Sequence, residues 1–470
     1  MRTLLAVLCL AGCTTGSSTS STASSAGDSA PAGSSGASYS GTGSGSSTIG
    51  SGSNNGNGNS QGSGTSTSNG NSNSQGSGAG SDPPIATNPT TGGAGAPGGH
   101  DFLPEILALY RVAACGHLDR PLPTALQTPA HQKVVDHHCK ELAPFMTKYR
   151  AAYFGKARDW FVAHQPPTLP ATAVYAFAGG DLVSALVAFP KATEITTLSL
   201  EYAGDPRKLT SLTPEQLATE LATFRKDIGM LIWVGSNLST NLSDQQKSSI
   251  AAQLSSHLLG LSTGGYEPVA ARYFSISDAD GSIHYLDDAD IAADTTPNKS
   301  LSGAWARPAF SSSFNHVEVR YRLIGEAPPT ERIHRHIGWN LSNDHLKKHP
   351  GALLHLKAKG QVALCVKGAS YLLWYDDFST IRTYLTDHLA WMVTDSTGVA
   401  PIYVPKSLEQ EAFGKFEGPV LPKMEGLRGD VSARALWAKT KQPMPFRFGY
   451  LDKANHSHVV ITRPKASPAP

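Results

Sequence analysis

From Thr14 to about Gly99 the chain is built almost wholly of Ser, Gly, Thr, Asn, Ala and Pro, and its only charged residues are Asp28 and Asp82. This tract limits what the chain can fold into more than any motif does. So polar and glycine-rich a stretch cannot bury enough apolar area to offset its conformational entropy, and it is expected to stay disordered. Everything foldable in the 470 residues must then lie within residues 100–470. Treated as a Gly-rich coil, the tract spans on the order of 50 Å, the reach of a tether. An O-glycosylated stalk has the same composition, so both readings stand.

The residues before the tract read as an address. Arg2 gives a positive start, Leu4 to Leu10 form a short apolar core, and Leu10-Ala11-Gly12-Cys13 closes it. An apolar run this short does not span a bilayer, and small residues before a cut suit a signal peptidase. Leu-Ala-Gly-Cys resembles the bacterial lipobox, which implies that residues 1–12 are removed and that the Cys13 thiol takes a diacylglyceryl group. Two or three acyl chains anchor durably where one does not. Thr14 follows the Cys. An Asp there would resemble an inner-membrane retention signal, so the expectation is a membrane partner at the outer membrane of a bacterial envelope. Residues 13–99 are then the lipidated Cys and its tether.

The remaining residues, 100–470, exceed the usual single core, so one large domain or two packed lobes (100–265 and 266–470) are both open. Without Arg2, Asp28 and Asp82, the 39 Lys+Arg and 37 Asp+Glu fall to 38 and 35, a net of about +3. No basic stripe interleaves with aromatics, so a nucleic-acid partner is not expected. No further run approaches 18 apolar residues, so nothing else is expected to span a membrane. Of the five cysteines, Cys115, Cys139 and Cys365 would remain in an oxidising compartment. Cys115 and Cys139 lie on what read as neighbouring helices and are expected to pair. Nearby His131, His137 and His138 also invite a zinc reading, but a disulfide fits the compartment better. Cys365, inside Val362-Ala363-Leu364-Cys365-Val366, reads as an inert buried thiol.

Periodicity points to a mixed α/β fold with a central sheet, a helical N-terminal part and antiparallel strands in the middle. Helices are expected over Phe102–Cys115, His131–Phe161, Leu182–Phe189, Pro214–Ile228, Asp244–Leu261, and through Tyr371–Trp374 and Phe378–His388. Strands are expected over Ala173–Phe177, Glu194–Leu200, Val269–Ser277, Ser282–Leu286, Val317–Ile324, Arg332–Asn340, Gln361–Val366 and Leu389–Thr394. Twice a strand leads through a glycine turn into a helix and back to a strand that ends at an acid. The first unit turns at Ala178-Gly179-Gly180-Asp181 and ends at Glu201; the second turns at Lys367-Gly368-Ala369-Ser370 and ends at Asp395. The two Rossmann-like units invite the idea of an internal duplication.

Six spaced motifs carry a resemblance. They are Tyr175-x-Phe177-x-Gly179-x-Asp181, the acid Glu201, Lys367-x-Ala369-Ser370-Tyr371-Leu372, Phe378-Ser379-x-Ile381-Arg382, Asp395-x-x-Gly398-x-x-Pro401 and Pro445-Phe446-x-x-Gly449-Tyr450. In this order they resemble an uncharacterised family of bacterial secreted and lipid-anchored proteins. The resemblance covers most of Ala171–Thr462 and implies no activity.

In open α/β sheets ligands meet the carboxyl ends of strands. If both units share one parallel sheet, Asp181, Glu201, Lys367, Ser370 and Asp395 converge on one edge, enough for acid–base chemistry. Ser370 has no Gly-x-Ser-x-Gly elbow. The first turn lacks the full dinucleotide glycine pattern, and Asp181 would repel a phosphate, so no cofactor is expected and a helix N-cap is the plain role for Asp181. No metal is expected either. His345 and His349 lack a catalytic Glu, His334 and His336 read as a solvated strand face, and Asp278-Ala279-Asp280-Gly281 lacks EF-hand spacing and suits a hairpin turn. The function expected is a surface binding or structural module, with an envelope hydrolase built on the strand-end cluster as the alternative.

Overall fold

Val362-Ala363-Leu364-Cys365-Val366 is buried at every position, and so is Ala173-Val174-Tyr175-Ala176. A strand apolar on both faces needs a covering layer on each side, which places these two runs inside a sheet sandwiched by helices. A computed structural model describes residues 98–234, 250, 252–294, 311–396, 398–416, 432–438, 444–449 and 457–466. Residues 94–470 form one unit, and its class is α/β with a ten-stranded mixed sheet.

In chain order the elements are α1 (Leu103–Val112), α2 (Pro129–Tyr149), α3 (Gly155–His164), β1 (Thr172–Ala176), α4 (Leu182–Ala188) and β2 (Glu194–Ser199). Then come α5 (Pro214–Val234), α6 (Ala252–Gly264), β3 (Tyr266–Ile276), β4 (Ile283–Tyr285), α7 (Asp288–Ala293), β5 (His316–Leu323) and β6 (Arg332–Gly338). The last are α8 (Asn343–Lys348), α9 (Gly351–Lys357), β7 (Val362–Val366), α10 (Ser379–His388), β8 (Leu389–Thr394), β9 (Leu408–Gly414), α11 (Ser432–Trp437) and β10 (His458–Pro464). The strand order is β4-β3-β5-β6-β2-β1-β7-β8-β10-β9. The pairs β6–β2, β2–β1, β1–β7 and β7–β8 are parallel. The pairs outside them are antiparallel.

Alternation along the central strands divides the core in two. Ala173, Tyr175, Ala363, Cys365, Trp391 and Val393 face a layer that includes α1, α2, α3, α4 and α6. Val174, Ala176, Leu364, Val366 and Met392 face a second layer holding α8, α9 and α10. Helix α4 connects β1 to β2 on the first face, while α10 connects β7 to β8 on the second. The connections therefore leave β1 and β7 in opposite directions, and their carboxyl ends flank a crevice. Such a switch point is where open α/β sheets take ligands.

The expected long helix His131–Phe161 is present as continuous helical backbone from Pro129 to His164, with a π turn inside it. Thr128 caps α2 by accepting from the His131 N–H, and a π-helical turn at Arg150–Phe154 separates α2 from α3. Arg150 donates to the carbonyls of Ser262 and Thr263 in the last turn of α6, where a cation meets the negative helix end. Of the expected helix Asp244–Leu261, residues 244–249 lie outside the described residues. Strands β9 and β10, on an edge of the sheet, were not expected from the sequence. No helix among the described residues is long and apolar enough to cross a membrane.

Candidate functional site

The chain leaves β1 through a strained turn. Phe177 has φ of 61° and Gly179 of 53°, and a left-handed bulky residue costs of order 1 kcal/mol or more. At Gly180 a Cβ would lie 2.7 Å from both Gln253 Oε1 and Ser256 Cβ, so only glycine lets α6 sit on the turn. Asp181 then caps α4, its Oδ1 accepting from the Ser184 N–H at 3.1 Å. Lys367 stands one residue past β7, continuing the row Ala363, Cys365 on the same face. The next residue, Gly368 (φ 81°), donates its N–H to Asp395 Oδ2 at 3.0 Å.

These strand ends bring Asp181 and Lys367 together. Asp181 Oδ2 accepts from Ser184 Oγ at 2.7 Å, Tyr175 Oη at 3.0 Å and Lys367 Nζ at 3.1 Å. Lys367 Nζ also donates to Ser184 Oγ at 3.2 Å and lies 4.7 Å from the Phe448 ring centroid. Tyr153 Oη is 3.4 Å from Ser184 Oγ. Burial, with the Asp181 charge added, holds the phenols of Tyr153 and Tyr175 well above their ordinary range, so both stay protonated. Burial also pushes the Cys365 thiol up, Asp181 adds to it and Lys367 opposes it, which fits an inert thiol. The Ser184 hydroxyl and the Lys367 ammonium are both committed to Asp181. The set fixes charge in place; it does not present a nucleophile beside a free base.

Asp181 and Lys367 form part of the wall of a cavity of about 510 Å³. Its apolar lining includes Met146, Tyr149, Tyr153, Leu259, Met444 and Phe446. Among the described lining residues, Lys148, Lys156, Lys367 and Arg447 are cationic and Asp181 is the one carboxylate. Lys148 and Lys156 are exposed, which puts them at the mouth. Ala152 and Tyr153 come from the π turn, a form of backbone common at functional sites.

The remaining strand-end residues stand elsewhere. Among the described residues the cavity wall includes neither Glu201 nor Asp395. Glu201 follows β2, and its backbone carbonyl accepts from His336 Nε2 and Ser199 Oγ. Asp395 is buried and bound to the Gly368 turn. Ser370 lies in the 3-10 turn Ala369–Trp374, with its side chain outside the described residues. Cys13 lies outside them too.

Cys115 and Cys139 are joined by a disulfide. With His138 they are the one group of three metal-type ligands among the described residues. Both His138 nitrogens are engaged, Nε2 with the Ala113 carbonyl at 3.0 Å and Nδ1 with Arg225 at 2.9 Å. Burial lowers this histidine to about 4. The calcium-like acids serve turns: Asp278 holds His349 and the Gly351 N–H, and Asp287 with Asp290 forms the capping box of α7.

His334 and His336 correct the solvated-face expectation, since both are fully buried. They face α6, where His257 sits 4.7 Å from each ring. Period-two spacing placed them on one face, but a mixed sheet under two helical layers makes that face interior. Ser184 and the cations Lys148 of α2 and Lys156 of α3 were also missed. Ser184 lies at the third position after an N-cap Asp, a spacing legible in the sequence; the cations are brought to the site only by tertiary packing. No protein-family profile, curated protein or solved structure matches this chain.

Proposed function

We propose that residues 100–470 are a binding module that takes an amphipathic small molecule with an anionic group, displayed at a bacterial outer membrane by lipid on Cys13 and the tether 13–99. The observation that carries the reading is the cavity lining: aromatic and aliphatic walls and, among the described residues, four cationic side chains with one carboxylate. A volume of about 510 Å³ lies in the range of small-molecule sites. Apolar walls desolvate a chain or ring, and the cation excess selects the sign of its polar group. The two strand–turn–helix–strand passages, taken as Rossmann-like copies of one unit, explain why the crevice falls between β1 and β7. The envelope hydrolase has less support. Glu201 and Asp395 stand off the wall, and Ser184 and Lys367 are tied to Asp181.

A fluorescent long-chain carboxylate whose emission rises on burial tests the site. The 100–470 chain should bind one equivalent saturably. Val183→Trp, at a half-buried position on the wall, should weaken binding at least tenfold with far-ultraviolet circular dichroism unchanged. Equal binding by both proteins, or none by the parent, ends the proposal.

A further inference from the structure

Behind the Gly179–Gly180 turn lies a second polar cluster, of which only Ser256 reaches the cavity wall. Gln253, Ser256 and His257 are buried on one face of α6, at 0%, 4% and 1% exposure. His334 and Thr197 meet them from β6 and β2, both at 0%. Buried polar atoms almost always find partners. Here Gln253 Oε1 and Nε2, Ser256 Oγ, His257 Nδ1 and His334 Nδ1 have none. So many orphan atoms in one place call for an occupant.

The tautomers show what kind. His257 Nε2 lies 3.1 Å from the Gly179 carbonyl, which can only accept, so Nε2 carries the proton and Nδ1 keeps its lone pair. His336 Nε2 donates to the Glu201 carbonyl at 2.9 Å, so its Nδ1 accepts from Thr197 Oγ1 at 3.1 Å. That hydroxyl has spent its proton and accepts from His334 Nε2 at 3.0 Å, leaving the His334 Nδ1 lone pair unused. A histidine that donates one N–H to a carbonyl or hydroxyl and presents the other nitrogen bare is arranged as metal-bound histidines are. The His257 and His334 ring centroids are 4.7 Å apart, against about 5 Å for two imidazoles sharing an ion at ~2 Å bond lengths.

We propose that His257 Nδ1 and His334 Nδ1 hold a transition-metal cation of the zinc or copper class, with Gln253 Oε1 and Ser256 Oγ as the oxygen donors beside it. Imidazole nitrogen suits those metals, whereas magnesium and calcium ask for oxygen alone. Thr197 is a positioning residue, since it fixes the His334 tautomer through His336. Ser256 and Gly180 also line the cavity, giving the ion a route in. The site is separate from the proposed ligand and stands if the cavity proves empty.

Untagged full-length protein, stripped with chelator and dialysed against zinc chloride or copper(I), tests this by metal analysis. One equivalent should be retained, and cobalt(II) should give the visible absorption of a low-coordinate nitrogen–oxygen site. His257→Gln and His334→Gln should each lower retention at least tenfold, and Thr197→Val should weaken it less. Melting temperature should rise with metal in the parent and not in the variants, which keeps misfolding apart from loss of a ligand. Cys115→Ser/Cys139→Ser should leave retention unchanged. No stoichiometric metal in a folded parent overturns the proposal, as does binding lost with the cysteines and kept in the histidine variants.

Discussion

Lys367 and Asp181 are 186 positions apart in sequence and meet at 3.1 Å, with side chains 8% and 16% exposed. Removing one partner of such a pair strands the other charge, which costs about 3–5 kcal/mol, whereas removing both costs far less. Lys367→Met should therefore destabilise by that amount in urea melts, and Lys367→Met with Asp181→Asn, which removes the charge and keeps the α4 cap, should recover much of the loss. Equal losses in the single and double variants would show that the pair is uncoupled. The residue scale is also where the sequence said least about function. Asp181 and Lys367 were singled out because acids and amines at strand ends of α/β sheets meet ligands, and they do line the cavity. Glu201 and Asp395 obeyed the same rule and do not, because β2 and β8 lie one strand further from the switch point. Only the strand order tells these cases apart, and local pattern does not carry it.

At the scale of elements, the central strands were legible because apolar runs of five or six between glycine turns leave few alternatives: Leu389–Thr394 matches to the residue, and β1, β2 and β7 to within one. The long helix His131–Phe161 was legible too, but not the π turn at Arg150–Phe154 inside it, which adds one residue to a turn without ending the helix. Neither were β9 and β10, where Leu408–Gly414 mixes charge with apolar residues as an edge strand does. Two predictions belong here. The disulfide ties the chain just after α1 to α2 across 24 residues, so Cys115→Ser/Cys139→Ser should cost roughly 3 kcal/mol by the loop-closure model, read from the urea midpoint of oxidised protein. The layer between helices and sheet also holds several neutral histidines. Burial lowers His138 and His336 to about 4 on one face, and on the other lowers His316 to about 3 and His355 to about 4. Each is depressed in the fold and ordinary, near 6.5, when unfolded, so the unfolded chain binds more protons between those values. Stability is therefore full above pH 6.5 and falls as pH drops toward 4, by up to about 1.4 kcal/mol per pH unit for each group. A free energy of unfolding that stays flat from pH 7 to 5 would contradict this.

For the whole molecule, composition predicts a tether over 13–99, which lies almost wholly outside the described residues, ahead of the folded unit. Cys13→Ser should leave the protein exported but free of the membrane, with no labelled palmitate incorporated; label in the mutant would end the lipobox reading. The folded part's class was legible from alternating helical and strand patterns, but its cavity was not. That pocket draws on α2, the π turn, α4, α6, the end of β7 and the 444–447 segment, which only the complete fold assembles. The central claim is that this cavity binds an anionic amphiphile, and it rests on the sign of the lining charge. The most direct measurement is a displacement titration of the bound fluorescent carboxylate with three ligands of one chain length, bearing carboxylate, neutral amide or ammonium heads. The carboxylate should displace best and the ammonium worst by at least tenfold, the gap narrowing as salt is raised. Equal displacement by all three, or preference for the ammonium, would contradict it.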